Sequence, residues 1–387
     1  MEISTEIDPE LQRRAREYAR IRHRLLLVDL GIAALFLLIL LTTGFSTGLR
    51  DALAPTGTWQ PIAHWAPLQV GLYFCILLII YQILEAPLSY YTGYVLPHRY
   101  HILHQQLPGW LADRAKGLIV AVVFEVATVE FIYLLLAAQP RLWWLWAAIA
   151  FLLFTVVLAN LAPILILPLF YKLTPLPDEE LRHRLLTLAE RAHTRVRGVF
   201  TMNMSRKTTT ANAALMGLGN TRRIVLGDTL LASYTPDEIE VVLAHELGHH
   251  VHYDLWKLII AQTTVTLAGL YLVNLGLHWA IETLHLYPAL TDVAAMPLIG
   301  LALWLFGLVT MPIANSFSRR VERQADQYAL QATGKPDAFI STMTRLANQN
   351  LGELNPDPII EFLLYDHPAI GKRLKHAERF QTERKSQ

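Results

Sequence analysis

Six stretches of this chain are almost continuously apolar, and their lengths define its architecture. Residues 25–45 are interrupted mainly by Asp29, Thr42 and Thr43. Residues 68–84, 117–138, 142–170, 258–281 and 296–313 form the other five. A helix needs about 20 such residues to cross a hydrocarbon layer of about 30 Å. Six runs of this kind are hard to hide in a soluble core, so the pattern predicts a mainly α, polytopic membrane protein. The predicted division is a membrane domain over 1–171 with four spans, then a unit over 172–387 with two more, at about 258–281 and 296–313.

The polar segments read differently. Residues 178–194 alternate with helical period behind Pro177 and an acidic start, which predicts an amphipathic helix. Short β-like runs follow at 196–202, 213–218 and 223–226, with Gly219-Asn220-Thr221 as a hairpin turn. This makes a small α+β insertion between spans four and five. Trp143, Trp144 and Trp146 suit a belt at the membrane interface. His98, His101 and His104 read as an interfacial helix facing the headgroups. Glu125 and Glu130 are costly in a span and therefore line a cavity or are paired.

Composition supports the membrane reading. Hydrophobic residues make up 53% of the 387 and charged residues only 17%, against about 25% charged in a soluble domain. The net charge is +1, so no global basic field exists for nucleic acid, and no nucleic-acid partner is expected. With Cys75 the one cysteine, no internal disulfide or Cys-based metal site can form. Lys and Arg concentrate in the leader (Arg13, Arg14, Arg16, Arg20, Arg22, Arg24), in 172–257 and after Ser316. The loop 282–295 has none. This bias places both termini and the 172–257 segment in the cytoplasm, and a cell inner membrane is the expected one.

The chemistry lies in His245-Glu246-Leu247-Gly248-His249. Thr235, Pro236 and Glu238 spell a capped helix start about three turns earlier. Two histidines four apart share a helix face and can hold one zinc ion, with Glu246 beside them to take a proton from water. A His-Glu-x-x-His is expected by chance only about 0.03 times in such a chain. A catalytic zinc site needs a third protein ligand. Glu322 is the best candidate, and Asp326, four residues on, can accept the free N–H of a ligand histidine. Gly248 costs about 1 kcal/mol in a helix relative to Ala, which suggests close packing or space near a ligand.

These residues, with Ser318-Arg319-Arg320-Val321-Glu322-Arg323-Gln324-Ala325-Asp326, resemble the membrane zinc metallopeptidases of the CAAX prenyl endopeptidase type. Thr210-Ala211-Asn212-Ala213, Arg223 to Asp228, and Asp366-His367-Pro368 with Arg373 are similar to other segments of that family. The resemblance implies a helical barrel around a water-filled chamber, with a cytoplasmic zincin-like (gluzincin) catalytic segment. It implies that Asn212 and Ala213 hold substrate backbone on an edge strand. His367 and Arg373 would bind substrate or stabilise the oxyanion. Eukaryotic members have seven spans; six are counted here. The expected activity is zinc-dependent cleavage of peptide or protein substrates at the bilayer, prenylated or not. A quality-control protease like the HtpX group is the alternative. A transporter with structural zinc is the alternative from another class.

Overall fold

The computed structural model describes residues 6–54, 66–217 and 219–386; Leu218, at the end of one predicted strand, lies outside them. Among the described residues, six helices are long and apolar enough to cross a membrane. They include α1 (Pro9–Thr42), α2 (Ala66–Tyr90), α3 (Leu107–Ala138) and α4 (Trp143–Leu161). Three of the spans contain a π-helical turn near their C-terminal end, at Tyr91–Val95, Ala162–Ile166 and Trp279–Thr283, the first two followed by one more α-helical turn. In the second of these Pro163 lacks the N–H that a regular turn would use.

The first span is only part of its helix. Asp8 caps α1, accepting hydrogen bonds from Glu10 N and Leu11 N. The basic leader continues without a break into the apolar run. Its polar half docks on the C-terminal region: Gln12 Nε2 donates to Gly352 O at 3.0 Å, and Leu354 N donates to Gln12 Oε1 at 3.0 Å.

The polar insertion folds as β1 (Leu173–Pro175), α5 (Glu179–Arg191), β2 (Val199–Met202), β3 (Ala213–Met216) and β4 (Arg223–Gly227). Asp178 caps α5 through Leu181 N. The sheet order is β1-β2-β4-β3, parallel between β2 and β4 and antiparallel elsewhere. β3 and β4 form the expected hairpin, with Met216 opposite Arg223. β3 is an edge strand. β1 has no clear sequence signal, being three residues that end in proline.

After the sheet come α6 (Pro236–Val251), α7 (Asp254–His278) and α8 (Met296–Thr333). Then follow α9 (Pro336–Gln349), α10 (Pro358–Leu364) and α11 (Ile370–Lys385). One buried cluster joins α5, the sheet, α6, α8 and α9 through Leu185, Ile224, Leu226, Leu243, Leu247 and Phe339. A second lies among the spans, around Tyr73, Leu136, Trp143 and Leu277.

Three sequence expectations are corrected here. Trp143 is not in an interface belt: it is fully buried and its Nε1 donates to Asn274 Oδ1 at 2.8 Å. A buried indole needs such an acceptor, and α7 supplies it. Trp146 is exposed. The histidines at 98, 101 and 104 do not share a helix, because the helix ends at Arg99 and His101 has φ +58°. Glu125 is exposed rather than lining a cavity, whereas Glu130 fits against Gly71, where a Cβ would stand 2.7 Å from Glu130 Oε1; as their five-residue spacing implies, the two are not partners.

Candidate metal centre

The site is made by two crossing helices. Thr235 caps α6 in a reciprocal box: Glu238 N donates to Thr235 Oγ1 at 3.3 Å, and Thr235 N donates to Glu238 Oε2 at 2.7 Å. This fixes the start of the helix, so the rotation that presents His245 and His249 is fixed as well. α8 passes against that face. A Cβ on Gly248 would lie 3.0 Å from Ala325 Cα and 3.2 Å from Tyr328 Cβ. The absent side chain is what lets the two backbones approach so closely.

His245, His249 and Glu322 converge, and they are the one cluster of potential metal ligands among the described residues. The two Nε2 atoms are 3.2 Å apart. His245 Nε2 lies 3.3 Å from Glu322 Oε2, and His249 Nε2 lies 3.4 Å from Glu322 Oε1. The far sides of both rings meet carboxylates. His249 Nδ1 is 3.1 Å from Asp254 Oδ2. His245 Nδ1 is 3.0 Å from Asp326 Oδ1, close enough for an ion pair although not aligned as a hydrogen bond. Carboxylates draw the ring protons to Nδ1 and leave the two Nε2 lone pairs facing the Glu322 carboxylate.

Lone pairs pointed at one another repel unless a cation stands between them. Glu322 Oε2 is buried and has no hydrogen-bond partner among the described residues. The 3.2 Å between the two Nε2 atoms matches one edge of a tetrahedron with bonds of about 2.0–2.1 Å, and each Nε2 has one Glu322 oxygen at 3.3 or 3.4 Å beside it. The electrostatics agree. Burial pushes the His245 ring down, but the carboxylates of Asp326 and Glu322 override it and raise it to about 9. The pocket is therefore built to hold positive charge, and the residues fit a divalent metal ion.

Glu246 is half-buried beside His245, and its charge is one of those that raise the Arg373 pKa. Arg373 does not reach into the open cleft. Its Nε and Nη2 donate to the two Asp326 oxygens at 2.8 and 2.5 Å, a bidentate clamp on the carboxylate behind His245. Burial lowers the Arg373 pKa, but Asp326 outweighs it and the group stays cationic. His367 enters on the loop after α10, its Nε2 3.4 Å from Glu322 Oε1 and its side chain 55% exposed. Asp366, at 2.8 Å from His367 Nδ1, raises its pKa against burial, and Glu322 adds to the rise.

Asn212 and Ala213 lie at the start of edge strand β3, with Asn212 exposed. Asn212 O accepts Gly227 N at 2.8 Å. The preceding backbone is pinned from the end of α9, where Asn350 Oδ1 accepts Ala211 N and Gln349 Nε2 donates to Thr209 O.

Two contributors carry no assignable chemical role in the sequence alone. Asp254 is buried, supports His249, and is itself held by Lys257 Nζ at 3.0 Å. Its place after the left-handed residue Tyr253 carries no motif. Arg319 is buried on the helix that carries Glu322. It donates to the carbonyls of Glu361, Phe362 and Tyr365 and to Ser316 Oγ. It closes the C-terminal end of α10 and holds the loop leading to His367.

Comparison with known proteins points the same way. Residues 175–381 match Peptidase family M48, and residues 1–172 match a region described as CAAX prenyl protease N-terminal, five membrane helices. Among the described residues that region here has four helices long enough to span. The chain is 28% identical to "Uncharacterized metalloprotease YhfN" of Bacillus subtilis, over 94% of this chain and 85% of that one. It is 30% identical to "CAAX prenyl protease 1 homolog" of Arabidopsis thaliana, over 76% and 70%, respectively. It is 26% identical to "CAAX prenyl protease 1" of Saccharomyces cerevisiae, over 96% and 86%. Its fold is similar to the crystal structure of S. mikatae Ste24p, with TM-score 0.85 at 23% identity, over 96% of this chain and 90% of that chain.

Proposed function

The chain belongs to peptidase family M48, and on that premise we propose that it is a zinc endopeptidase whose ion is held by His245, His249 and Glu322. It is a multi-pass membrane metallopeptidase, and its substrates are peptides or proteins at the bilayer. The observation that carries the ligand set is the pair of carboxylates behind the imidazoles, which leaves both Nε2 atoms facing Glu322.

Bound there, zinc supplies Lewis acidity: it polarises a carbonyl and makes water a stronger acid. The protein does the rest. Glu246 takes one proton from the attacking water and delivers it to the leaving amine nitrogen as the C–N bond breaks. Asp326, held by Arg373, and Asp254, held by Lys257, keep the two imidazoles in the ligating tautomer. The Asp366 hydrogen bond and the Glu322 charge favour the protonated form of His367, and in that form it stabilises the negative charge that develops on the carbonyl oxygen. Arg373 serves through Asp326, as a positioning residue. Asn212 and Ala213 offer backbone to an extended substrate adding to the β3 edge.

The working unit is 172–387, including two spans, on a membrane domain of residues 1–171. The Lys/Arg bias supports a cytoplasmic site in an inner membrane. Relatives named CAAX prenyl proteases, and an apolar cavity of about 430 Å³ between the spans, support a prenylated substrate. Phe74, Tyr133, Leu303 and Phe306 line that cavity.

The test is Glu246→Gln. The variant is expected to retain zinc by elemental analysis and to lose cleavage; retained turnover would refute the mechanism. Mass spectrometry of products from a prenylated peptide and its unprenylated twin settles the substrate class. Equal cleavage of both would favour a quality-control protease.

A further inference from the structure

The face of α8 turned away from the metal site carries a feature that peptide hydrolysis does not use. Arg320, Arg323, Gln324 and Gln327 lie about 100–200° around the helix from Glu322. With His252 from the end of α6 and His376 from α11 they line a cleft of about 540 Å³. A smaller cavity of about 260 Å³ adjoins it, sharing Arg323 and His376 and adding Lys375 and Arg379. The acid in this pair of cavities is Asp326, already neutralised by the bidentate Arg373 clamp. Neither Arg320 nor Arg323 has a carboxylate partner among the described residues, and His376 Nε2 is buried with no hydrogen-bond partner. The cleft is thus a concentration of cationic and neutral donors whose one carboxylate is already paired.

Its depth is fixed by two neighbours. Arg320 follows Ile313, the last residue of the apolar run, by seven positions, about 10 Å along the helix. Lys257 Nζ contacts Gln324 Oε1 at 3.5 Å, and the apolar run of α7 starts at the next residue, Leu258. Tyr253 and Trp256, exposed at the same turn, are residues suited to the lipid–water boundary. Below them, Ile260, Val309 and Ile313 present exposed apolar surface. The donors therefore stand at headgroup height, on the outer side of the protein.

From this placement we propose that the cleft is a binding site for the phosphate-bearing headgroup of an anionic phospholipid. Its acyl chains would run down the apolar surface below, and Arg320 and Arg323 would make the charge-assisted contacts. The larger cleft shares no residue with the metal ligands, and the smaller cavity touches their surroundings through Asp326 and Arg373, so zinc content is read beside lipid retention.

The test uses the full chain in detergent, by native mass spectrometry with dioleoyl phosphatidylglycerol, dioleoyl phosphatidylcholine or inorganic phosphate added. Wild type is expected to retain phosphatidylglycerol at least fivefold over phosphatidylcholine, and excess inorganic phosphate should not displace it. Arg320→Gln/Arg323→Gln should bring phosphatidylglycerol down to the phosphatidylcholine level, with zinc content unchanged. Arg22→Gln/Arg24→Gln removes the same charge from another boundary helix and should leave retention intact. Equal retention of the two lipids by wild type, equal loss in both double variants, or displacement by phosphate would each overturn the proposal.

Discussion

Replacing Gly248 by Ala separates the stability of this fold from the quality of its metal site. The new methyl would stand 3.0 Å from Ala325 Cα, 3.2 Å from Ala325 O and 3.2 Å from Tyr328 Cβ. Comfortable carbon contacts lie at about 3.5–4.0 Å, so the helices must part by roughly 0.5 Å. Every obstacle is backbone or Cβ of α8, and no side-chain rotation relieves it. Overpacking of this kind costs about 1–3 kcal/mol, while Ala for Gly inside a helix returns about 1 kcal/mol. The net effect on folding is therefore small, about 0–2 kcal/mol. The metal site has less latitude. Ligand distances are held within about 0.2 Å, and Glu322 is one turn from Ala325 on the displaced helix. Zinc affinity is expected to fall about 10–100-fold, the range seen when a ligand's support is disturbed. Chelator competition measures the affinity and thermal unfolding the stability. An unchanged affinity in Gly248→Ala would mean that the close approach of α6 and α8 does not set the Glu322 position.

Asp254→Asn leaves His249 without its carboxylate; zinc affinity should fall about 10–100-fold with the fold intact, read by the same competition assay. Arg319→Met strips hydrogen bonds from the end of α10, so turnover should fall more than zinc content, with the 361–367 loop more open to protease. Unchanged kcat would show that Arg319 does not position His367. The cluster of Asp237 and Glu240 with Arg184 and Lys335 should make stability pH-dependent. The Lys335 and Arg184 bonds lower the Asp237 pKa. Burial raises Glu240, but the same two cations overcome it and the net shift is downward. Folded pKa values below the unfolded ones mean stability present above about pH 4–5 and lost as pH falls through the folded values. Melting temperature should decline on that limb, and Arg184→Gln/Lys335→Gln should flatten it.

The sequence made the spans legible because apolar length is a direct consequence of bilayer thickness. The capped His-Glu-x-x-His helix was legible because cap and motif are local. Glu322 and Asp326 could be read only through the four-residue spacing on a helix and the need for a third ligand. What escaped is what depends on chain crossing. Asp254 belongs to the first turn of a span, yet it serves the helix before it. Arg319 sits among three arginines, and only packing shows which of them turns inward to carbonyls. Trp143 looked like its neighbours at the interface, but Asn274 on another helix draws it inside.

α8 runs unbroken for 38 residues from the apolar span to beyond Glu322 and Asp326. Pro312 lies inside it, at the end of the apolar span, where the missing N–H removes one helix hydrogen bond and makes a flexing point between the lipid-embedded half and the half that carries Glu322. Its apolar portion, 296–313, is about 27 Å long, slightly short of an average hydrocarbon layer. A span shorter than the layer is met by local thinning of the bilayer rather than by tilt, so a change of membrane thickness is expected to be taken up in the lipid beside α8 and at Pro312 before it reaches Glu322.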